Sequence, residues 1–231
     1  MTHIETRVEA TGKDEPDYAG RKFGAGAVAR QSHRRFVGGH WERIGRLQRD
    51  FLVQQGLEPG QRFLDVGCGS LRAGRHLVEH LEPGNYHGID VNADLVAAGY
   101  DHELTDEQRE RLPVANLRST DRFDADFGVE FDMAIAQSVF THISLNHVRL
   151  CLARVAQVMR SGGRFFITFN EQPEDFPVDG IPERGHYTER NVFWYYREDI
   201  RWAASFSPWS FRYLGDWGHP RDQRMIELTR T

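Results

Sequence analysis

The chain is expected to fold as a doubly wound α/β domain: a mostly parallel, seven-stranded sheet with an antiparallel last strand and helices on both faces. Three observations predict it. Short apolar runs alternate with segments of helical period, the pattern of repeated βαβ units. A glycine turn, Gly67-Cys68-Gly69, stands between one such run and a helix. Near the end, residues 211–214 and 225–229 read as two strands with no helix between them, which closes the sheet with a hairpin.

The elements follow in order. Residues 1–38 form a polar leader with no apolar run able to serve as a signal segment, expected to be mobile until something docks it. Overlapping its end, residues 18–40 have hinge glycines (Gly20, Gly24, Gly26) and covering side chains such as Lys22 and Phe23, so a lid over a bound ligand is expected there. In residues 39–55, Trp41, Ile44, Leu47, Phe51 and Leu52 recur at helical spacing. Pro59-Gly60 makes a turn before a strand at 62–66 and a helix at about 71–81. Strand 86–90, helix 93–104, a third strand at 114–117 and an apolar fourth strand at 131–137 come next. Helix 146–159 turns Val148, Cys151, Leu152, Val155 and Met159 inward and is expected to stop at Gly162-Gly163 as a C-cap, ahead of strand 164–169. Residues 39–231 thus read as one domain, with residues 171–220 as an aromatic-rich elaboration.

Composition narrows the function. A chain of 231 residues fits one well-buried domain. Its net charge of −5 argues against a dedicated nucleic-acid binder, and no stretch approaches the roughly 18 apolar residues of a membrane span. A cluster of Arg30, His33, Arg34 and Arg35 reads either as a solvated face or as a patch for an anionic partner. Cys68 and Cys151 make no disulfide framework and have no metal-ligand spacing, so reduced thiols and a cytoplasmic location are expected. His76 and His80 lie one helical turn apart but lack a third ligand, and Asp216, His219 and Asp222 read as solvated loop residues; no metal is expected.

The chemistry sits in Phe63-Leu64-Asp65-Val66-Gly67-Cys68-Gly69-Ser70. Glycines directly after a buried strand let the backbone turn sharply and let a ligand approach it. The second strand ends on Asp90, placed to accept the hydroxyls of a ribose, or to cap the helix that follows. A dinucleotide fingerprint needs a small residue three positions after its second glycine, and Arg72 stands there. Asp65 would repel a pyrophosphate but suits a ligand carrying a sulfonium and an amino group. Cys68 reads as a packing residue under the turn.

LDVGCGS followed by GID closely resembles the first two motifs of class I S-adenosylmethionine-dependent methyltransferases. FDMAIAQSVFTH, residues 131–142, resembles the family's fourth-strand motif, and Gly162-Gly163-Arg164-Phe165-Phe166 its fifth-strand entry. The resemblance implies S-adenosylmethionine (SAM) as cofactor and S-adenosylhomocysteine (SAH) as product. It places the methionine part on Gly67, Cys68 and Gly69, with Asp65 near the amino group, and the ribose on Asp90. Val91, Asn92 and Gln137 join the cofactor set, with Leu117 (or its neighbours Asn116 and Arg118) over the adenine and Phe123 as a stacking ring.

A small-molecule acceptor is expected. The fourth strand leads into Gln137-Ser138-Val139-Phe140 and not into an Asn-Pro-Pro-Tyr type of motif, and no cysteine stands where a nucleophilic base methyltransferase needs one. The rings and polar groups after the fifth strand suit a polyhydroxylated acceptor such as a sugar, and Tyr187, Trp194, Tyr195 and His219 are its candidate contacts. An alcohol needs a base close at hand. His142, after the fourth strand, is that candidate, oriented by Glu171 after the fifth, with His147 in reserve and His186 and His219 behind it. Two other readings stay open: a methyltransferase for an amine or a macromolecule, and a module that binds the cofactor without turnover.

Overall fold

Seven strands form one continuous sheet in the computed structural model, which describes residues 18–175 and 192–231. They are β1 (Phe63–Val66), β2 (Tyr86–Asp90), β3 (Leu117–Ser119), β4 (Phe131–Ala136), β5 (Met159–Glu171), β7 (Trp209–Asp216) and β8 (Arg224–Arg230). A two-residue strand, β6 (Trp194–Tyr195), pairs beside the end of β5. The order across the sheet is β3-β2-β1-β4-β5-β8-β7. Strands β1 to β5 are parallel, and β8 runs antiparallel between β5 and β7. The order reverses between β1 and β4, and in open α/β sheets a ligand crevice forms outside the carboxyl ends at such a point.

Among the described residues, eight helices surround the sheet: α1 (Ala25–Ala29), α2 (Ser32–Phe36), α3 (Trp41–Gln54), α4 (Gly74–His80), α5 (Ala93–Glu103), α6 (Asp106–Arg111), α7 (Leu145–Val158) and α8 (Arg197–Ala204). Successive strand side chains point to opposite faces, so each strand feeds two cores. Leu64, Val66, Phe165 and Ile167 pack with Val148, Leu152 and Ile200 from α7 and α8. Phe63, Ile135 and Phe166 pack on the other face with Leu52 and Leu77 from α3 and α4. Burial on both faces explains why these strands read as continuous apolar runs.

Several boundaries depart from the sequence reading. Residues 114–116 make a 3-10 turn, and β3 starts only at Leu117. The Asn116 amide causes this by donating to the carbonyls of Gly84 and Tyr86, at 2.8 and 3.1 Å. Gly162-Gly163 does not cap α7, which ends at Val158 with Met159 already extended and paired to Phe131. The glycine pair instead lies inside β5, where the register jumps from Met159 to Arg164, and Gly162 takes a positive φ of 77°. The α6 helix was not expected from the sequence; it opens on a capping box in which the Thr105 hydroxyl takes the Gln108 N–H and the Gln108 side chain takes the Thr105 N–H. In the leader, residues 25–36 carry α1 and α2; residues 1–17 and 176–191, which include Tyr187 and His186, lie outside the described residues.

Candidate active site

A cavity of about 780 Å³ opens at the carboxyl ends of β1, β2, β4 and β5, at the order reversal. Its floor is the glycine turn. The N–H groups of Gly67 and Cys68 both reach the Ile89 carbonyl, at 2.7 and 3.0 Å, which pins the turn to β2. Gly67 has φ +76°, and a Cβ there would stand 2.4 Å from Val139 Cγ2. Both facts require glycine, the first by backbone strain and the second by space.

Two carboxylates border this turn. Asp65 is buried at the end of β1 and accepts a hydrogen bond from the Tyr86 hydroxyl at 2.7 Å. Burial, less the help of that hydroxyl, pushes its pKa up to about 7. Asp90 accepts the Gly69 N–H through Oδ2 and the Asn92 N–H through Oδ1, both at 2.9 Å. Burial raises its pKa, opposed by those N–H groups. Both acids line the cavity, as do Gly67, Cys68, Gly69, Val91 and Gln137. The Cys68 thiol is held well above its usual pKa by burial and then by the two nearby carboxylates, which suits packing and not nucleophilic attack.

Two members of the expected cofactor set face elsewhere. Asn92, and not Asp90, caps α5: its Oδ1 takes the Leu95 N–H at 2.8 Å, and its amide donates to the carbonyls of Tyr18 and Arg21, each at 2.9 Å. Leu117 is half-buried and packs against the core beside Gly88. The wall beyond β3 is formed instead by Thr120, Asp121 and Phe123, a few residues further along. Asn116 and Arg118 are taken up by backbone carbonyls and by Asp124, respectively.

The opposite end of the cavity carries His142, His147, Ser144, Asn170 and Phe193, with Tyr18 and Phe36 from the leader. The Tyr18 hydroxyl lies 3.2 Å from His142 Nδ1 and 3.5 Å from Nε2. Burial raises the Tyr18 pKa to about 12, against the nearby charge of Arg221, so the hydroxyl keeps its proton. His147 is exposed at the start of α7, with Nδ1 3.1 Å from the Ser144 hydroxyl.

Glu171 does not join them. Its Oε1 pairs with Arg197 at 2.9 Å, and its Oε2 accepts the Tyr213 hydroxyl. The reason is strand alternation: one residue earlier, Asn170 points to the cavity, so Glu171 points to the other face. Tyr195 is buried, with its hydroxyl donating to the Ile143 carbonyl at 2.6 Å, and Trp194 is half-buried in β6; neither is on the cavity wall. His219 stands behind Gln137, stacked on Trp217, with its pKa lowered to about 4 by burial and then by Arg72 and Arg221. His76 lies 3.8 Å from Glu42 and His80 Nε2 2.8 Å from the Leu57 carbonyl. No cluster of three metal-ligating side chains occurs among the described residues.

Sequence reasoning missed Tyr18, Gln48, Thr120, Asp121, Asn170, Arg221 and Gln223, all on the cavity wall. Period-two alternation along β5 was the signal for Asn170. Nothing local marks Tyr18 or Arg221, which fold in from distant segments.

Residues 64–165 match a family model described as a methyltransferase domain. Among solved structures, the SAM-bound magnesium protoporphyrin IX methyltransferase of Synechocystis PCC 6803 is 18% identical with a TM-score of 0.58, over 82% of this chain and 81% of that one. The sugar N-methyltransferase KedS8 of Streptoalloteichus sp ATCC 53650 is 20% identical with a TM-score of 0.58, over 83% and 87%. The SAM-bound amino pentose methyltransferase CalS10 of Micromonospora echinaspora is 17% identical with a TM-score of 0.58, over 88% and 97%. At such identities the likeness is one of fold.

Proposed function

We propose that this chain is a SAM-dependent methyltransferase of the class I type, as the match of residues 64–165 to a methyltransferase-domain model supports, and that its acceptor is a hydroxyl of a small polar molecule, a sugar or a sugar-bearing metabolite. The observation that carries the reading is His142. It lines the same cavity as the glycine turn, at the end where Ser144, His147 and Asn170 offer hydrogen bonds and Phe36 and Phe193 offer apolar faces. Such a wall fits a ring that is apolar on its faces and hydroxylated at its rim.

Methyl transfer is an in-line displacement: the acceptor oxygen forms a bond to the methyl carbon while the carbon–sulfur bond breaks, leaving a neutral thioether. Alignment carries most of the rate. In our reading His142 takes the hydroxyl proton on Nε2 as the oxygen attacks, and the Tyr18 oxygen accepts the Nδ1–H, which leaves Nε2 unprotonated and facing the acceptor. Tyr18 thereby fills the part expected of Glu171. Gly67, Gly69, Asp65, Asp90 and Val91 hold the cofactor, and Thr120 to Phe123 cover its base.

A second reading has support of its own. KedS8 and CalS10 are described as acting on a sugar nitrogen and an amino pentose, and a histidine base serves an amine equally well. Incubating the protein with labelled SAM and pools of hydroxylated sugars, amino sugars and phenols separates the two. Label in the oxygen-only sugar pool is the expected result. Label in the amino-sugar pool alone would move the acceptor atom to nitrogen, and release of SAH in no pool would overturn the small-molecule assignment.

Residues 18–40 act, in this reading, as a lid. Asn92, Glu103 and Arg72 hold them against the body: Asn92 through the Tyr18 and Arg21 carbonyls, Glu103 through His33 and Arg34, and Arg72 through the Val37 and Gly39 carbonyls. Limited proteolysis should cleave this segment more slowly once SAH is added. Equal cleavage with and without SAH would sink the lid.

A further inference from the structure

Arg72 and Arg221 line the same cavity, and their positions raise a question of charge. Arg72 is only 8% exposed. Its Nη1 donates to the carbonyls of Val37 and Gly39, at 2.8 and 3.1 Å, and its Nη2 donates to Gln137 Oε1 at 2.7 Å. Arg221, from the loop before β8, donates to the carbonyl between them, that of Gly38. Two guanidiniums thus grip three consecutive backbone carbonyls. Carbonyl oxygens satisfy donors but neutralise no charge, and among the described residues neither arginine has a carboxylate within ion-pair distance. Burying a cation without a counter-charge is costly, and the two arginines also repel one another. Hydrogen bonds account for only part of the five N–H donors of Arg72.

We propose that Arg72 and Arg221 bind the carboxylate of the amino-acid end of SAM, while Asp65 meets its ammonium, so that the three side chains form a receptor for an α-amino acid zwitterion. Planar guanidiniums present paired donors that match a carboxylate bidentately. The placement favours the cofactor over an acidic acceptor. Arg72 stands three residues after Gly69 and close enough to Asp65 for their charges to interact, at the glycine-turn end of the cavity, whereas His142 and His147 mark the other end. The role also accounts for a large charged residue where a dinucleotide fold keeps a small one. Because the same guanidiniums hold residues 37–39, the carboxylate would bind against the lid's own anchor.

The test compares two ligands that differ only at this end. SAH carries the zwitterion; 5′-methylthioadenosine is an adenosine thioether without it. Calorimetry on the full chain should show wild type preferring SAH. Arg221→Gln, a change in an exposed loop, should weaken SAH on the order of 10- to 100-fold, the range for a charged hydrogen bond, and leave methylthioadenosine unchanged. Arg72→Lys keeps the charge but loses the fork, and should show the same selective loss. Should Arg72→Lys fail to fold, Arg221→Gln decides. Unchanged SAH affinity in Arg221→Gln, or equal losses for both ligands, would overturn the proposal while leaving the cofactor assignment standing. Failure of wild type to bind either ligand would overturn the cofactor assignment and the proposal together.

Discussion

His142→Gln should lower turnover by about 10²–10⁴-fold with SAH affinity retained, the range for removing a general base. Glutamine keeps a hydrogen-bonding group near the Tyr18 hydroxyl, 3.2 Å from Nδ1 in the parent, so the local packing is preserved while proton uptake is lost. Tyr18→Phe supplies the companion measurement. It removes the bond that orients the ring without removing the base, so its loss should be smaller than that of His142→Gln. The two effects should also fail to add, since both act through one imidazole. Turnover of His142→Gln within a few-fold of the parent would transfer the role to His147, or show an acceptor that needs no base.

The second large effect falls on the glycine turn. Gly67→Ala should destabilise the fold by about 1–3 kcal/mol, because alanine resists the left-handed backbone found there. It should also weaken SAH binding on the order of tenfold or more, about 1.4 kcal/mol. The added Cβ meets Val139 Cγ2 at 2.4 Å, and Val139 itself lines the cavity, so relief of the clash distorts the wall. Adding Val139→Ala removes the obstruction but not the strain, and should restore SAH affinity more than stability. Parental SAH affinity and melting temperature in Gly67→Ala would show that the turn neither contacts the cofactor nor needs glycine.

What the chain's sequence determined by itself was the local grammar: strand, glycine turn, helix, and a strand ending on an acid. Phe63-Leu64-Asp65-Val66 and Tyr86–Asp90 are short runs flanked by turn residues, and each fell where the period of apolar side chains put it. The turn was legible because glycine at Gly67 and Gly69 answers a backbone requirement that no other residue meets cheaply. The closing hairpin was legible for a similar reason, since no helix-period segment separates its strands. Where local cues competed, the reading slipped. The Gly162-Gly163 pair looks like a helix stop but serves a bulge, because pairing of Met159 with Phe131 ends α7 four residues earlier.

Only the tertiary structure decided who meets whom at the acceptor end. Alternation along β5 sends Asn170 to the cavity and Glu171 to Arg197 and Tyr213, and a one-residue shift is enough to exchange their fates. Tyr18 reaches His142 across 124 positions of chain, and Arg221 reaches Gly38 across 183. No periodicity or spacing encodes such contacts. They depend on how the leader packs on α5 and on where the loop before β8 emerges, and both follow from burial summed over the whole fold.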